Sequence, residues 1–200
     1  MTTVCDTPNA VGDELETLIR SRYPILYVVS WEEERVEECL AEVVARRGKR
    51  LVCWSAVRGL YPAGEAPTGS KRMFNTATTD PMVALDEVMR QVEPIVFLFK
   101  DLHPMLRDHG VVRKLRELAQ HLKASPKTLV LVSHQAVVPP ELEKDVTLVD
   151  FCLPQMAELG HLLDGLVEQV ARQGRLQEAL TAGARERLLK ACLGLTLKEA

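Results

Sequence analysis

The stretch Pro94-Ile95-Val96-Phe97-Leu98-Phe99-Lys100-Asp101-Leu102-His103-Pro104 decides the fold: an apolar run ends in a lysine and an acid and then breaks at a proline. Five to six consecutive apolar residues predict a short strand that is buried on both faces, as in a parallel sheet covered by helices. Ligands of such sheets bind at the carboxyl ends of the strands. Asp101 therefore occupies the position at which nucleotide-hydrolysing folds keep a magnesium-binding carboxylate.

Apolar, β-rich segments alternate with helical patterns along the chain. The predicted strands cover residues 25–30, 50–54, 95–99, 127–134 and 146–151. Amphipathic helices are predicted before and between them, over residues 11–22, 31–47, 81–92 and 110–123. This alternation predicts an α/β fold: a five-stranded parallel doubly wound sheet with right-handed crossovers, followed by a small helical part.

The same pattern predicts the domain boundaries. Residues 1–10 are expected to be a disordered tail, residues 11–153 an α/β core, and residues 154–200 a small helical subdomain placed like a lid. Near the end of the sequence, Thr196 and Glu199 have capping-box spacing, but no helix follows them. We therefore expect the helical subdomain to be truncated.

Composition allows one main domain with an appendage, because 200 residues with 46% hydrophobic content can bury one substantial core. The 28 acidic and 25 basic residues give a net charge of −3, which provides no overall attraction to nucleic acid or anionic membrane. Bases on the predicted helix 110–123 lack interleaved aromatic residues, so we interpret them as a solvated face. Neither a membrane nor a specific nucleic acid is an expected partner.

Cysteine usage and the N-terminus predict the compartment. The five cysteines are widely spaced, none is in a Cys-x-x-Cys pair, and four lie in apolar segments, as expected of buried free thiols in a reducing environment. The first residues lack the basic and apolar regions of a signal peptide, and no apolar run approaches the ~18 residues that span a bilayer. These features predict a cytoplasmic protein.

A phosphate-binding loop is missing from the place where this fold would have one. The turn between the first predicted strand and the next helix holds Glu32, Glu33 and Glu34, with no glycine and no Gly-Lys-Ser/Thr. Three carboxylates repel a triphosphate at a helix N-terminus that would otherwise attract it. A near-match at residues 64–71 lacks a preceding strand and a following amphipathic helix, so we interpret it as a surface loop.

Five segments in a fixed order resemble successive blocks of one family, the AAA+ ATPase group first named as a hypothetical chloroplast reading frame and widespread in cyanobacteria and other bacteria. The blocks are Ser30–Val36, Trp54–Leu60, Phe99–Pro104, Ser133–Glu143 and Leu193–Ala200. Proteins of this group resemble two-part chains, in which a divergent N-terminal AAA-like domain precedes a complete ATPase module. The resemblance covers residues 13–200 and implies that only the first part is present.

What the resemblance implies is a pseudo-ATPase domain with a P-loop-like fold and degenerate Walker motifs. Residues 30–36 replace the phosphate loop with acids. Lys100 and Asp101 replace the acidic pair of the magnesium strand, so that Leu102 stands in place of the acid that polarises water. Phosphoryl transfer then loses its positioning and its charge neutralisation, which supply almost all of its catalysis.

The resemblance also implies where the missing functions lie. Ser133 or His134 stands at the position of a sensor residue, and the segment usually carrying arginine fingers holds Lys144 and no arginine. No cofactor is expected in this chain; ATP and magnesium belong to the missing module of the parent protein. Expected partners are that module and other copies of the parent. The degenerate nucleotide positions are Glu32, Glu33, Glu34, Lys100, Asp101, Ser133 and His134.

Two further hypotheses stay open. One is a small-ligand-binding or hydrolytic domain at the carboxyl edge of the sheet, with Asp101, His103, Ser133 and His134 as candidates. Its triad version lacks the Gly-x-Ser-x-Gly turn around the serine. A metal version matches no common ligand spacing; it would use Asp101, His103, Asp108, His109 and His134. No catalytic residue and no metal are therefore expected. The other hypothesis is a ring contact between the three glutamates of one copy and bases of a neighbour.

Overall fold

The computed structural model describes residues 10–64, 76–173 and 181–200. The chain divides into two compact units. The first includes Val11–Phe151 and the second includes Cys152–Ala200. The strands are β1 (Ile25–Val29), β2 (Arg50–Ser55), β3 (Gly59–Pro62), β4 (Ile95–Lys100), β5 (Thr128–Ser133) and β6 (Val146–Asp150). The helices are α1 (Ala10–Arg20), α2 (Glu33–Arg46), α3 (Pro81–Arg90), α4 (His109–Lys123), α5 (Met156–Arg172) and α6 (Ala182–Cys192).

The strands form one sheet in the order β3-β2-β4-β5-β1-β6. Every pairing is parallel except that of β2 with β3, which is antiparallel. The predicted α/β class and the five predicted parallel strands are confirmed. Across the described residues the sheet nevertheless has six strands and is mixed, because the segment Gly59–Pro62 turns back along β2 as a short, half-exposed edge strand.

Both faces of the sheet are covered, as the apolar strands predict. Successive strand residues alternate between the faces: Ile25 and Tyr27 lie in the core formed with α3 and α4, whereas Leu26 and Val28 lie in the core formed with α1 and α2. All six residues of β5 are buried. The interior strands therefore contribute their side chains to two apolar layers and leave their carboxyl ends as the accessible edge.

Aspartate side chains cap the starts of α3 and α4. A carboxylate oxygen of Asp80 accepts from the backbone N–H groups of Met82 and Val83 at 2.7 and 3.2 Å, ahead of a proline at the first helical position. Asp108 caps α4 in the same way, with Oδ1 at 2.6 Å from the N–H of Gly110. Such caps stabilise a helix by about 1 kcal/mol each.

The second unit contains α5 and α6. The guanidinium of Arg185 on α6 donates to both carboxylate oxygens of Asp164 on α5 at 2.8 Å, which pairs the two helices. The predicted capping-box contact near the end of the sequence is present: the N–H and Oγ1 of Thr196 donate to Glu199 at 2.9 and 2.8 Å. Of the predicted tail at residues 1–10, residues 1–9 lie outside the described residues, whereas Ala10 is the first residue of α1. Most of the 64–71 loop also lies outside the described residues.

One cysteine corrects the predicted set of free thiols. Cys152 is disulfide-bonded, whereas Cys39, Cys53 and Cys192 are free and Cys5 lies outside the described residues. Disulfide pairing depends on the distance between Cα atoms in the fold, which widely spaced cysteines do not reveal in a sequence.

Among the described helices, none is long and apolar enough to cross a membrane. The predicted cytoplasmic location stays a prediction.

Candidate functional site at the carboxyl edge of the sheet

The carboxyl ends of three neighbouring strands are level with one another. Val29 at the end of β1 lies beside Ser133 at the end of β5, and Lys100 at the end of β4 lies beside Val132. Backbone hydrogen bonds continue past the strands, since the N–H of Ser30 donates to Ser133 and the N–H of Asp101 donates to Val132, each at 3.0 Å. This pairing fixes the residues that follow each strand at one edge.

The connection from β1 to α2 contains three residues, Ser30, Trp31 and Glu32. Its turn is closed locally, because the N–H of Glu32 donates to the Ser30 hydroxyl at 3.0 Å. The Glu32 carboxylate is only 8% exposed and forms an ion pair with Arg35 at 2.9 Å. Arg35 in turn lies over the ring of Phe151, 4.8 Å from its centroid. The first of the three predicted glutamates is therefore committed to a contact within the domain.

A second group, the lysine–carboxylate cluster, consists of Glu33, Glu37 and Lys100. The Nζ atom of Lys100 lies 2.7 Å from a carboxylate oxygen of Glu37 and 3.9 Å from one of Glu33. The other Glu37 oxygen accepts from the N–H of Gly64 at 2.9 Å. Lys100 and Glu37 are 14% and 16% exposed, so this is a largely buried ion pair. Its central charge is neutralised inside the domain.

The electrostatics of this cluster follow from burial and pairing. Burial opposes the charge of Glu37, but the hydrogen bond from Lys100 outweighs it with help from the Gly64 N–H, and the pKa of Glu37 is lowered. Glu33 behaves oppositely: burial and the nearby Asp101 carboxylate raise its pKa, although Lys100 opposes them. Burial, followed by the charge of Glu37, raises the pKa of the Cys53 thiol to about 12. Cys53 is therefore an inert thiol.

A cavity of about 630 Å³ opens beside the lysine–carboxylate cluster. The described residues that line it include Glu33, Glu34, Glu37, Arg58, Tyr61, Lys100 and Asp101. The guanidinium of Arg58 lies over the Tyr61 ring at 3.7 Å from its centroid. Sequence reasoning missed Glu37, Arg58 and Tyr61. Glu37 follows Glu33 by one helical turn, a spacing that could have indicated a shared face.

The third group, the imidazole cluster, consists of Asp101, His103 and His134. His103 Nδ1 lies 3.5 Å from Asp101 Oδ1, and the His103 and His134 ring centroids are 5.0 Å apart in an edge-to-face arrangement. The Trp31 ring, 74% exposed, lies 4.7 Å from that of His134. One oxygen or nitrogen atom from each member of the cluster lies within 4.8 Å of the other two. Three of the four candidates of the ligand-binding hypothesis are thus brought together.

Ser133 does not join them. Its side chain is buried, with the hydroxyl 2.8 Å from the Tyr27 hydroxyl and donating to the Gln135 carbonyl at 2.7 Å. The Asp108 carboxylate is engaged as the cap of α4, where it accepts hydrogen bonds from backbone N–H groups. The edge therefore holds a carboxylate and two imidazoles in contact, without the serine that a hydrolase triad needs.

The mixed, mainly parallel sheet with β1 between β5 and β6, covered on both faces and followed by a helical part, is the fold of an AAA+ ATPase-like domain, as the matching family model shows. The chain belongs to the family described as the SpoVK-like AAA ATPase N-terminal domain, whose model matches residues 11–151. The family resemblance predicted from the five sequence blocks is confirmed.

Relatives and solved structures agree with this assignment. The chain is 31% identical over 190 residues to the uncharacterized AAA domain-containing protein ycf46 of Trieres chinensis, covering 94% of this chain and 36% of that protein. It is 30% identical to the Guillardia theta protein of the same name, covering 93% and 35%. The chain thus spans about a third of these relatives.

Fold similarity extends to distant structures. A DNA replication initiation factor matches with a TM-score of 0.56 at 12% identity, over 99% of this chain and 60% of that one. The FIGL-1 AAA domain in complex with ADP matches with a TM-score of 0.54 at 13% identity, over 89% and 57%. At such identities these matches show the fold alone.

Proposed function

We propose that this chain is a non-catalytic AAA-like domain that serves in assembly or regulation of an ATPase module elsewhere in a longer protein. The observation that carries the proposal is the three-residue connection between β1 and α2, which ends at two glutamates in the first helical turn. A phosphate loop needs several glycine-rich residues whose N–H groups surround the phosphates, and a helix N-terminus free of negative charge. This connection offers neither.

The residues at the end of β4 are a poor fit both for Mg²⁺ and for a nucleotide. Magnesium in nucleotide sites is held by carboxylates together with phosphate oxygens. Here the first residue after the buried run is Lys100, whose ammonium is paired with Glu37, and Leu102 is buried. Asp101 is the one carboxylate in the segment Lys100–Leu102 that follows the buried run, and it is exposed. The end of β4 therefore offers one carboxylate, Asp101, in place of the acidic pair that would hold magnesium.

The proposed role as a platform rests on the length of the relatives. Because this chain spans about a third of each, the greater part of those proteins lies outside the matched region. We assign ATP and magnesium to that part, and we assign to this domain contacts with the ATPase module and with other copies of the parent.

A single-turnover assay tests the catalytic part of the proposal. The chain, in molar excess over radiolabelled Mg-ATP, is expected to release phosphate no faster than buffer alone. Hydrolysis that saturates with protein and is lost on Asp101→Asn would refute it.

The platform role is tested with the full-length Guillardia theta relative, by comparing its oligomeric state in sedimentation with and without the matching segment. An unchanged state together with unchanged ATP turnover would argue against assembly or regulation.

A further inference from the structure

We propose that Asp101, His103 and His134 bind a divalent transition-metal ion of the zinc and cobalt type at the ends of β4 and β5. The imidazole cluster offers one carboxylate oxygen and two ring nitrogens that lie within 4.8 Å of one another. Imidazole nitrogens suit zinc, cobalt, nickel and copper, whereas magnesium and calcium prefer oxygen ligands. The site uses no nucleotide, so it stands independently of the proposed platform role.

Distances within the cluster suit such an ion. Zinc bonds to nitrogen and oxygen are about 2.0–2.2 Å, so two ligands in tetrahedral geometry lie about 3.4 Å apart. The separation of 3.5 Å between Asp101 Oδ1 and His103 Nδ1 already matches this value. All three ligand atoms lie within 4.8 Å of one another, which exceeds the tetrahedral separation by at most about 1.4 Å.

One ligand atom is buried without a hydrogen-bond partner. His103 Nδ1 is inaccessible to solvent and makes no hydrogen bond among the described residues. An unsatisfied buried polar atom destabilises a fold, so such atoms call for an explanation. A metal bond to Nδ1 would supply the missing interaction, with Asp101 as the neighbouring anionic ligand.

The backbone holds these ligands at the edge. Asp101 adopts a left-handed conformation with φ of 51°, which aspartate tolerates better than most residues. Its N–H is bonded to the carbonyl of Val132, two residues before His134, so the β4 and β5 ends are tied together. Three protein ligands leave one tetrahedral position open, as in catalytic rather than structural zinc sites. Trp31 borders the cluster next to His134.

Zinc calorimetry on the untagged 200-residue chain tests the site. The wild-type chain is expected to bind one zinc ion, and His103→Ala and His134→Ala are each expected to weaken binding at least about 100-fold, because removing a ligand costs more than removing an outer-shell partner. His109→Ala is the matched control, since His109 is an exposed residue at the start of α4 and is expected to keep wild-type affinity within about threefold. Asp101→Asn, nearly isosteric, separates ligand loss from misfolding.

Cobalt absorption tests whether imidazole and carboxylate atoms or thiolates bind the metal. The distinction matters because three free thiols are present among the described cysteines. The expected spectrum is that of Co²⁺ bound by nitrogen and oxygen, without a thiolate charge-transfer band, and it is lost in His134→Ala. The proposal is overturned by zinc binding that is equal in wild type and in a folded His103→Ala/His134→Ala variant, by a thiolate band, or by the absence of zinc binding to the wild-type chain.

Discussion

Two clusters flank Asp101 at the same edge of the sheet, and they differ in how their polar groups are satisfied. In the lysine–carboxylate cluster, Lys100 pairs with Glu37, and Glu37 also accepts a backbone N–H. In the imidazole cluster, a buried nitrogen of His103 has no hydrogen-bond partner among the described residues. A satisfied network stabilises the fold and needs no ligand, whereas an unsatisfied one indicates a binding site. This edge of the sheet thus holds one cluster that is satisfied within the fold and one that is not.

The largest expected effect is on the satisfied cluster. Lys100→Met keeps the aliphatic side chain but leaves the Glu37 and Glu33 carboxylates without their cation. We expect it to lower the free energy of unfolding by about 2–3 kcal/mol, somewhat less than for a fully buried pair. Urea denaturation measures the change. The control is Lys190→Met, because Lys190 pairs with Glu186 at 63% exposure and should contribute less than about 0.5 kcal/mol. Equal losses of unfolding free energy in the two variants would show that the buried pair stabilises the fold no more than an exposed pair does.

Ser133→Ala is expected to have the next largest effect and to separate folding from ligand binding. The Ser133 hydroxyl contacts Tyr27 in the core, so its removal should cost about 1 kcal/mol in urea denaturation. Zinc affinity should remain within about threefold of wild type, because Ser133 lies outside the imidazole cluster. A loss of zinc binding without destabilisation would place Ser133 in the ligand site instead. Tyr27→Phe, which removes the other hydroxyl, is the matched control for stability.

The pH dependence of stability distinguishes the two glutamates of the lysine–carboxylate cluster. The pKa of Glu37 is lowered in the fold, so its stabilising contribution is present above its ordinary value of 4.5 and is lost as the pH falls through the lowered pKa. Glu37→Gln should therefore be less stable than wild type at pH 7, with the difference shrinking below pH 4.5.

For Glu33 the sign is reversed. Its pKa is raised above 4.5, so ionised Glu33 opposes folding at neutral pH. Glu33→Gln should be more stable than wild type at pH 7, and the gain should vanish as the pH falls to 4.5 and below. Thermal unfolding across pH 3.5–8 measures both differences, a range chosen around the ordinary value of 4.5. Parallel curves for Glu33→Gln and Glu37→Gln would contradict the assigned environments.

Trp31→Ala is expected to have the smallest effect on folding. Trp31 is 74% exposed, so its removal should change the free energy of unfolding by less than about 0.5 kcal/mol.

Trp54→Phe should lower the free energy of unfolding by more, because Trp54 is fully buried and donates its ring N–H to the Thr78 carbonyl. In that variant Trp31 is the remaining tryptophan, and its fluorescence should change when zinc occupies the imidazole cluster. Fluorescence unaffected by saturating zinc would separate Trp31 from the site.

The fold was largely predictable because its local signals agree. Fully apolar runs identified the buried strands, and amphipathic patterns identified the helices before and between them. The strand β3 was missed because its four residues begin with Gly59 and end with Pro62 and are held by pairing with β2. Gly59 has φ of 68°, a conformation that supports the turn but carries no strand pattern.

The site was less predictable, because its contacts cross between elements. Strand alternation does place Ser133 on the same face as Leu131 and Leu129, and this could have indicated that it points into the core. By contrast, the pairing of Lys100 with Glu37 and the meeting of His103 with His134 depend on side-chain directions at neighbouring strand ends. The strand ends therefore identified Asp101, His103 and His134 as candidates, whereas ligand spacing along the sequence did not indicate that the three side chains meet.

Calorimetric titration of the chain with Mg-ATP tests the central claim most directly, because it asks whether this edge still receives a nucleotide. A catalytically complete AAA+ domain titrated in the same buffer is the positive control. We predict heats no larger than those of dilution for wild type and for Asp101→Asn. Saturable binding of about one nucleotide per chain, weakened by Asp101→Asn, would contradict the claim that the carboxylates at the start of α2 have replaced the phosphate site.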